Sequence, residues 1–290
     1  MLGVLLIDKP IGYTSHDVVA RIRRKLGIRR TGHAGTLDPL ASGLLVVAVG
    51  PATRFLQYLP LEPKVYEATI RFGEATTTYD AEGDIVAKSE VPADLIAAVK
   101  QNLPRLRGSI EQVPPIYSAI KKDGQPLYAY ARRGEEVEIK SRNVFIQEFE
   151  LIGGEETDLH FRITCSGGTY IRSLAHDLGQ FVGCGAHIKS LRRIKVGKFS
   201  VDEAASIEDC STGDLISLSV ALPPFRLVQV NSGQVDHIQH GRPVKLALPV
   251  DESLVGFLDE AGNVVGVGRV KDEWAHPECV IPVGVYEESL

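Results

Sequence analysis

One aspartate stands between a glycine-rich loop and an apolar run, in the segment RRTGHAGTLDPLASGLL that spans residues 29–45. Asp38 is the acidic side chain of this segment, and a stretch rich in arginine precedes it. A carboxylate near a floor of apolar residues can act as a nucleophile or as a general base. The alternative is structural, because an Asp-Pro pair such as Asp38-Pro39 also begins ordinary turns.

Other kinds of chemistry are disfavoured by what the sequence lacks. It contains no GxxxxGK[ST], no GxGxxG opening a helix, no HExxH and no GxSxG, so nucleotide-driven, dinucleotide-dependent, zinc-protease and ordinary serine-hydrolase chemistry lose support. The four cysteines form no CxxC pair, which favours reduced thiols. Cys184 and His187 lie three residues apart, but a zinc site needs about four ligands. We therefore predict no metal site.

Charge is distributed unevenly along the chain. The net charge is −5, and residues 223–290 account for all of it, with five basic and ten acidic side chains. Two stretches, 18–37 and 186–199, carry six and five basic residues respectively and no acid. Such stretches are typical of a phosphate-binding surface. A solvated helix face and a lysine-rich edge strand would give the same pattern.

The segments flanking Asp38 predict the elements that must position it. Residues 2–7 predict a strand, and apolar residues at helical spacing then predict a helix with Ser15 as N-cap and Gly27 as its end. Residues 31–42 resemble a loop, and 44–49 a buried strand. Residues 64–73 alternate in polarity, as in a half-buried strand, with Tyr66 in the inward-facing set.

The rest of the chain mixes strands and helices without a regular βαβ repeat. Strands are predicted at 137–150 and 158–165, with a turn at Gly153-Gly154, and at 187–199. The fold class is therefore α+β, with a mainly antiparallel mixed sheet flanked by helices. Pro223-Pro224 marks a boundary between a catalytic domain, 1–222, and a C-terminal domain, 223–290. Short strand-like runs at 226–231, 254–258, 264–270 and 279–286 predict a small β-barrel there.

Nothing in the sequence predicts a membrane segment or a secretion signal. No window holds the ~18 uninterrupted apolar residues of a membrane span. The N-terminal apolar run is short and no basic residue precedes it, unlike a signal peptide. We expect a cytoplasmic protein.

Several segments together resemble one family. GHAGTLDPLASGLL is similar to the catalytic loop of the TruB family of pseudouridine synthases, bacterial enzymes that modify uridine 55 in the TΨC loop of tRNA. LIDKPIGYTSHDVV, KVYEATIRFG with TTTYDAEGD, CSGGTYIRSLAHDLG and CGAHIKSLRR resemble its other motifs, and VPPIYSAIKKDGQPLYAYARRG resembles its RNA-gripping insertion, about 114–142. They occur in the family's order from residue 3 to about 198.

The resemblance implies a role for each matching residue. Asp38 would be the catalytic carboxylate, Tyr66 would lie against the base, and Arg172 would pair with the aspartate. Leu191 would line the pocket, and His33 would fill the gap left in the base stack. Lys9 would be either structural or directed at a phosphate. Asp80 remains a candidate substrate contact in a loop that here reads Thr76-Thr77-Thr78. The basic stretches would contact the tRNA backbone, chiefly through Arg29, Arg30, Arg192 and Arg193.

The family also implies a pseudouridine synthase fold followed by a PUA-like domain, with tRNA as partner, no cofactor, no obligatory protein partner and a monomeric state. Three alternatives remain open at this point. One is a synthase that acts on other RNA, or that is guided by an RNA and partner proteins. Another is a tRNA-folding chaperone, and the third is a structural RNA-binding protein whose activity does not depend on Asp38.

Overall fold

A computed structural model describes residues 1–118, 120–122, 124–135, 137–223, 226–246 and 254–284. Its strands, in chain order, are β1 Gly3–Lys9, β2 Thr31–Ala34, β3 Ala41–Val49, β4 Lys64–Phe72, β5 Glu74–Thr76, β6 Ile85–Lys88, β7 Gly108–Gln112, β8 Lys121–Lys122, β9 Gln125–Pro126, β10 Arg142–Glu155, β11 Asp158–Cys165, β12 Ala186–Val196, β13 Phe199–Ser200, β14 Arg226–Gln229, β15 Val244–Lys245, β16 Leu254–Leu258, β17 Val264–Lys271 and β18 Trp274–Val280.

The helices, in chain order, are α1 Ser15–Leu26, α2 Leu95–Asn102, α3 Leu127–Arg132, α4 Ile171–Val182, α5 Leu218–Ala221 and α6 Ser232–Gln239. Short 3-10 segments lie at Gly50–Tyr58, Leu103–Leu106, Val201–Glu203 and Thr212–Asp214.

A large mixed sheet carries the first part of the chain. Its order is β1-β3-β12-β4-β11-β10-β7, with β2 paired to β3 and β13 to β12. The β3–β12 pairing is parallel, and the other pairings described in this sheet are antiparallel. This confirms the predicted α+β class. Because β12 lies between β3 and β4, the alternative explanation of the basic stretch 186–199 as a lysine-rich edge strand is wrong.

The Asp38 region differs from the predicted loop in one respect. Residues 31–34 form β2, which pairs with the second half of β3, so only the residues after Ala34 are loop. Thr14, not Ser15, caps α1, because its side chain accepts from the backbone of Asp17 in a capping box. Ser15 is buried, and its hydroxyl contacts the backbone of Leu37 instead. Gly27 ends the helix in a left-handed conformation, as predicted.

The predicted turn at Gly153-Gly154 is also wrong. β10 continues through both glycines to Glu155, with a register shift between Leu151 and Gly153. The chain reverses instead at Glu156, whose φ is 52°. Glycine within a strand often marks a bulge or similar irregularity. The Gly153-Gly154 pair therefore lies at such an irregularity in β10 and not in a turn.

A second sheet lies near the C-terminus, in the order β14-β16-β17-β18-β15. It is consistent with the predicted small PUA-like barrel. The sequence analysis did not predict α6. It placed the last strand at 279–286, whereas β18 ends at Val280, and residues 285–286 lie outside the described residues. Val264 and Val267 of this sheet share an apolar cluster with Val4 and Phe55 of the first part of the chain. The boundary at 222/223 stays a prediction, and Pro224 lies outside the described residues.

Candidate active site

The loop that carries Asp38 is held from both sides. Ser15, at the start of α1, uses its hydroxyl to accept from the Leu37 backbone N–H at 2.8 Å and lies 3.2 Å from the Leu37 carbonyl. The backbone N–H of Ala41 donates to the Asp38 carbonyl at 3.0 Å, which turns the chain into β3. The side chain of Asp38 is 36% exposed. Its carboxylate is thus fixed in position yet open to a ligand.

A buried arginine connects Asp38 to a second carboxylate. Arg172, in the first turn of α4, places Nε 2.9 Å from Asp38 Oδ2 and Nη1 3.3 Å from Asp80 Oδ2. Its remaining N–H groups donate to the carbonyls of Thr78, at 3.0 Å, and Tyr117, at 2.9 Å. The Nε–H does not point at the Asp38 oxygen, so that contact is electrostatic and not a well-aligned hydrogen bond. The guanidinium therefore lies within ion-pair distance of both carboxylates.

Asp80 lies deeper than Asp38, with a side chain only 4% exposed. Its Oδ1 accepts from the Thr78 hydroxyl and from the backbone N–H of Glu82. The Thr76 hydroxyl donates to its carbonyl at 2.7 Å. A buried charge is tolerated when it is paired and hydrogen-bonded in this way. Asp80 is therefore placed to hold Arg172, and the predicted substrate contact through Asp80 stays a prediction.

A cavity of about 290 Å³ opens beside the Asp38–Arg172 pair. Such a volume lies near the lower end of the ~300–1,000 Å³ typical of small-molecule pockets. Its lining combines backbone of two glycine-rich loops with apolar and ionisable side chains: Gly35, Thr36, Leu37, Asp38, Lys64, Tyr66, Ser118, Gly168, Thr169, Tyr170, Ile171, Arg172 and Leu191. Asp38, Tyr66, Arg172 and Leu191, which the family resemblance singles out, therefore lie around one cavity.

Tyr66 faces the cavity from β4. The predicted alternation holds, because residues 66, 68, 70 and 72 are buried while their neighbours are half-exposed. Burial raises the pKa of the Tyr66 phenol, and the nearby Arg193 guanidinium opposes that rise through its charge and a hydrogen bond. The phenol is therefore neutral, so it can pack flat against a ring and carry a proton.

Arg193 does not lie on the predicted phosphate-binding surface. It is 0% exposed, and its guanidinium donates to the carbonyls of Leu44 at 2.8 Å, Gly35 at 3.1 Å and Thr36 at 3.3 Å. A strand directs successive side chains to opposite faces, so Arg192 points outward while Arg193 points into the protein. The prediction that Arg193 binds RNA phosphate is wrong, since this side chain is buried and its donors already hold carbonyls on both sides of Asp38.

Lys9 is also 0% exposed. Its ammonium donates to the carbonyls of Tyr13 at 2.7 Å and Pro10 at 3.0 Å, which closes the turn between β1 and α1. Burial lowers the pKa of Lys9 to about 8, and the charge of Asp38 partly opposes that shift. Of the two roles left open for Lys9, these contacts favour the structural one.

The depressed pKa of Lys9 predicts a pH-dependent stability difference. In the unfolded chain the pKa returns to its ordinary value of 10.5, so between pH 8 and 10.5 the unfolded state binds more protons and stability rises with pH. Compared with Lys9→Met, the wild type should gain up to about 3 kcal/mol of unfolding free energy across this window. Urea unfolding of both proteins at pH 7 to 10.5 measures it. Other titrating groups are shared and cancel, so a constant difference would contradict the prediction.

His33 lies on β2, half-buried at the edge of the site. Its ring meets that of His16 edge-on, with centroids 5.4 Å apart, and its Nδ1 has no hydrogen-bond partner among the described residues. Burial, then the charges of His16 and Arg193, lower its pKa. A neutral, flat ring suits the predicted place in a vacated base stack, which stays a prediction.

The remaining basic residues differ in their freedom to bind RNA. Arg29 and Arg30 are exposed in the turn between α1 and β2. Arg192 is 40% exposed, and its guanidinium makes two contacts with the Asp8 carboxylate, at 2.7 and 3.0 Å. A phosphate that binds Arg192 would have to share it with Asp8. Contacts of these three residues with RNA stay predictions.

Two family models match consecutive parts of the chain. The one described as TruB family pseudouridylate synthase (N terminal domain) matches residues 23–171, and the one described as tRNA pseudouridylate synthase B C-terminal domain matches residues 172–213. A relative from Thermobifida fusca (strain YX), named tRNA pseudouridine synthase B, is 48% identical over 96% of this chain and 98% of its own length. The chain belongs to the TruB family. A relative of the same name from Burkholderia pseudomallei (strain 668) is 42% identical, over 97% of each chain.

Two solved structures superpose on this TruB chain over nearly its whole length. The chain superposes on one titled "Crystal Structure of a Cbf5-Nop10-Gar1 Complex" with a TM-score of 0.71 and 27% identity, covering 97% of this chain and 85% of that one. A second, "Structure of H/ACA RNP bound to a substrate RNA containing 2'-deoxyuridine", gives 0.69 and 26%, covering 97% and 86%. The boundary between the two TruB models falls at the start of α4. Asp38 lies in the part that the first model matches, and Arg172 is the first residue of the part that the second matches.

Lys64 is a cavity residue that the sequence reasoning missed. Its Nζ lies close to Gly35, 3.2 Å from the position that a Cβ atom on that residue would occupy. Burial, followed by the charge of Arg193, lowers the pKa of Lys64. The sequence could have indicated Lys64, because it precedes Tyr66 by two residues on β4 and the alternation of a strand places both side chains on one face.

Within the described part of the chain, no group of three or more His, Cys, Asp or Glu side chains could hold a metal ion. No helix within those same ranges is long and apolar enough to cross a membrane.

Proposed function

We propose that this chain isomerises uridine 55 in the TΨC loop of tRNA to pseudouridine, with Asp38 as the catalytic carboxylate. Its close relatives are named tRNA pseudouridine synthase B, and enzymes of this family are isomerases. The observation that carries the residue assignment is the buried Arg172, which holds Asp38 at the mouth of a cavity also lined by Tyr66 and Leu191.

The reaction breaks the glycosidic bond, rotates the base and rejoins it to the sugar through carbon. Atoms and electrons balance within the nucleotide, so the proposal needs no redox cofactor and no ATP. Asp38 attacks the base, attacks the sugar or removes a sugar proton, and all three roles require an ionised carboxylate within reach of the nucleotide. Arg172 places its guanidinium beside that carboxylate. Tyr66 packs against the base and assists removal of the C5 proton.

The target base must leave its stack before it can enter the cavity. Flipping a stacked nucleotide costs a few kcal/mol, and a neutral His33 in the vacated space recovers part of that cost. Arg29, Arg30 and Arg192 then hold the RNA backbone. We further propose that the enzyme acts as a monomer in the cytoplasm, without an obligatory protein partner.

Mapping pseudouridine at nucleotide resolution in an unmodified tRNA transcript, after incubation with the purified protein alone, tests the proposal. A single new pseudouridine at position 55 is expected, and a transcript with cytidine 55 should stay unmodified. Modification elsewhere would indicate another RNA target. Modification that requires an added guide RNA and partner proteins would replace the proposal with the guided alternative.

The chaperone alternative is separable, because chaperone activity does not need chemistry. An Asp38→Asn protein that forms no pseudouridine but still speeds refolding of tRNA would show that both activities coexist. Refolding activity in a wild-type protein that forms no pseudouridine would leave only the chaperone or a structural RNA-binding role.

Arg30 and His33 should respond differently to substitution. Arg30→Ala removes one phosphate contact, so the slope of log affinity against log salt should fall by about one unit or somewhat less. His33→Ala should leave that slope unchanged but slow the conversion of a stacked uridine, and it should affect an unstructured RNA fragment less. Salt titrations and single-turnover rates measure both effects. An unchanged slope in Arg30→Ala would remove Arg30 from the set of phosphate contacts.

A further inference from the structure

A ring stack lies directly behind the Arg172 network. Tyr79 and His176 face each other with ring centroids 3.9 Å apart and an interplanar angle of 17°. Both side chains are half-buried. Tyr79 immediately precedes Asp80, and His176 follows Arg172 by one helical turn on α4. Residues four apart share a helix face. One face of α4 therefore contacts two consecutive loop residues, with His176 on Tyr79 and Arg172 on Asp80.

The loop backbone at Tyr79 has an unusual conformation. Its φ is 63°, in the left-handed region that side chains other than glycine rarely adopt. The Tyr79 carbonyl accepts from the backbone N–H of Ile188 on β12, at 3.0 Å. A conformation of this kind persists where its surroundings enforce it. Here β12 holds the carbonyl, and His176 holds the ring.

We propose that Tyr79 and His176 are positioning residues for the reaction. Their stack locks the loop against α4, which fixes Asp80 on Arg172 and, through Arg172, fixes the carboxylate of Asp38. This inference rests on the proposed role of Asp38 in pseudouridine formation. Neither ring lines the cavity of about 290 Å³, and both act through Asp80 and Arg172.

The stack depends on ring shape and not on the polar atoms of the rings. His176 Nδ1 has no hydrogen-bond partner among the described residues, and burial lowers the pKa of this imidazole. Burial, followed by the charge of Asp177, raises the pKa of the Tyr79 phenol. Both rings are therefore neutral, and phenylalanine should replace either of them.

Single-turnover rates at saturating enzyme, tRNA affinities and melting temperatures of five variants test the proposal. Tyr79→Ala and His176→Ala should each slow pseudouridine formation about tenfold, with tRNA affinity unchanged within about twofold. Tyr79→Phe and His176→Phe should restore the wild-type rate. Phe181→Ala is the matched control, because it removes a ring contact with Arg105 from the far end of α4, and it should leave the rate unchanged.

The double variant Tyr79→Ala/His176→Ala sharpens the test. If the two rings act as one unit, its rate should match that of either single alanine variant, because the stack is lost only once. A wild-type rate in Tyr79→Ala, or an equal loss of rate in Phe181→Ala, would overturn the inference. Failure of the wild type to form pseudouridine at position 55 would instead contradict the proposed function, so the two failures are distinguishable.

Discussion

Asparagine in place of Asp38 should leave a protein that binds tRNA but forms no detectable pseudouridine. Asn has nearly the shape of Asp but supplies neither a nucleophile nor a base, so the single-turnover rate should fall on the order of 10⁴-fold or more. The affinity for tRNA should change little, because phosphate contacts supply most of it. Rates with purified Asp38→Asn and filter binding at fixed salt measure the two effects.

The fold of the Asp38→Asn protein should persist, because the backbone contacts of the loop do not involve the carboxylate. A melting temperature close to that of the wild type is the control. Pseudouridine produced by rigorously purified Asp38→Ala would contradict the assignment of Asp38. A large loss of tRNA affinity would instead indicate that the loop organises RNA binding as well.

Substitution of Arg172 should damage both the rate and the stability. Arg172→Ala leaves the buried Asp80 without its cation, which should cost about 3 kcal/mol of unfolding free energy or somewhat more. Arg172→Lys retains the charge but cannot contact Asp38, Asp80 and two carbonyls at once. Misplacement of the carboxylate should then slow the reaction about 100-fold. Single-turnover rates and urea unfolding measure the two losses.

A double variant separates these two roles. Arg172→Ala/Asp80→Asn removes the unpaired buried charge together with the arginine, so it should recover part of the lost stability without recovering the rate. Recovery of the rate as well would mean that Arg172 serves only to neutralise Asp80. An unfolding free energy of Arg172→Ala equal to that of the wild type would contradict the buried network itself.

Sequence patterns located the strands and helices around the site because the apolar periodicity there is strong. The alternation of β4 placed Tyr66 inward, and the apolar stripe ending at Gly27 defined α1. The N-cap was misplaced by one residue because Thr14 and Ser15 can both cap a helix, and only the fold shows that Ser15 is engaged by Leu37. Helix α6 was missed because its sequence, SGQVDHIQ, has only two strongly apolar residues.

The burial of Arg193 could not be predicted from local sequence patterns. A run of basic residues indicates a surface, and arginine is rarely buried without a carboxylate partner. Its burial depends on three carbonyls from residues about 150 positions away, which no local pattern reveals. Strand alternation alone could still have indicated that Arg192 and Arg193 face opposite sides. The Tyr79–His176 stack was likewise invisible, because its partners lie about 100 residues apart.

The parallel pairing of β12 with β3 has a consequence for biosynthesis. Leu191, Arg192 and Arg193 join the sheet beside Ala41, Ser42 and Gly43, so the loop with Asp38 cannot reach its final geometry until the later segment exists. At roughly 5–20 residues per second, a ribosome makes Arg172 about 7 to 27 seconds after Asp38. During that interval the nascent chain carries Asp38 without the arginine that contacts it. We therefore expect the proposed reaction to begin only after most of the chain has been made.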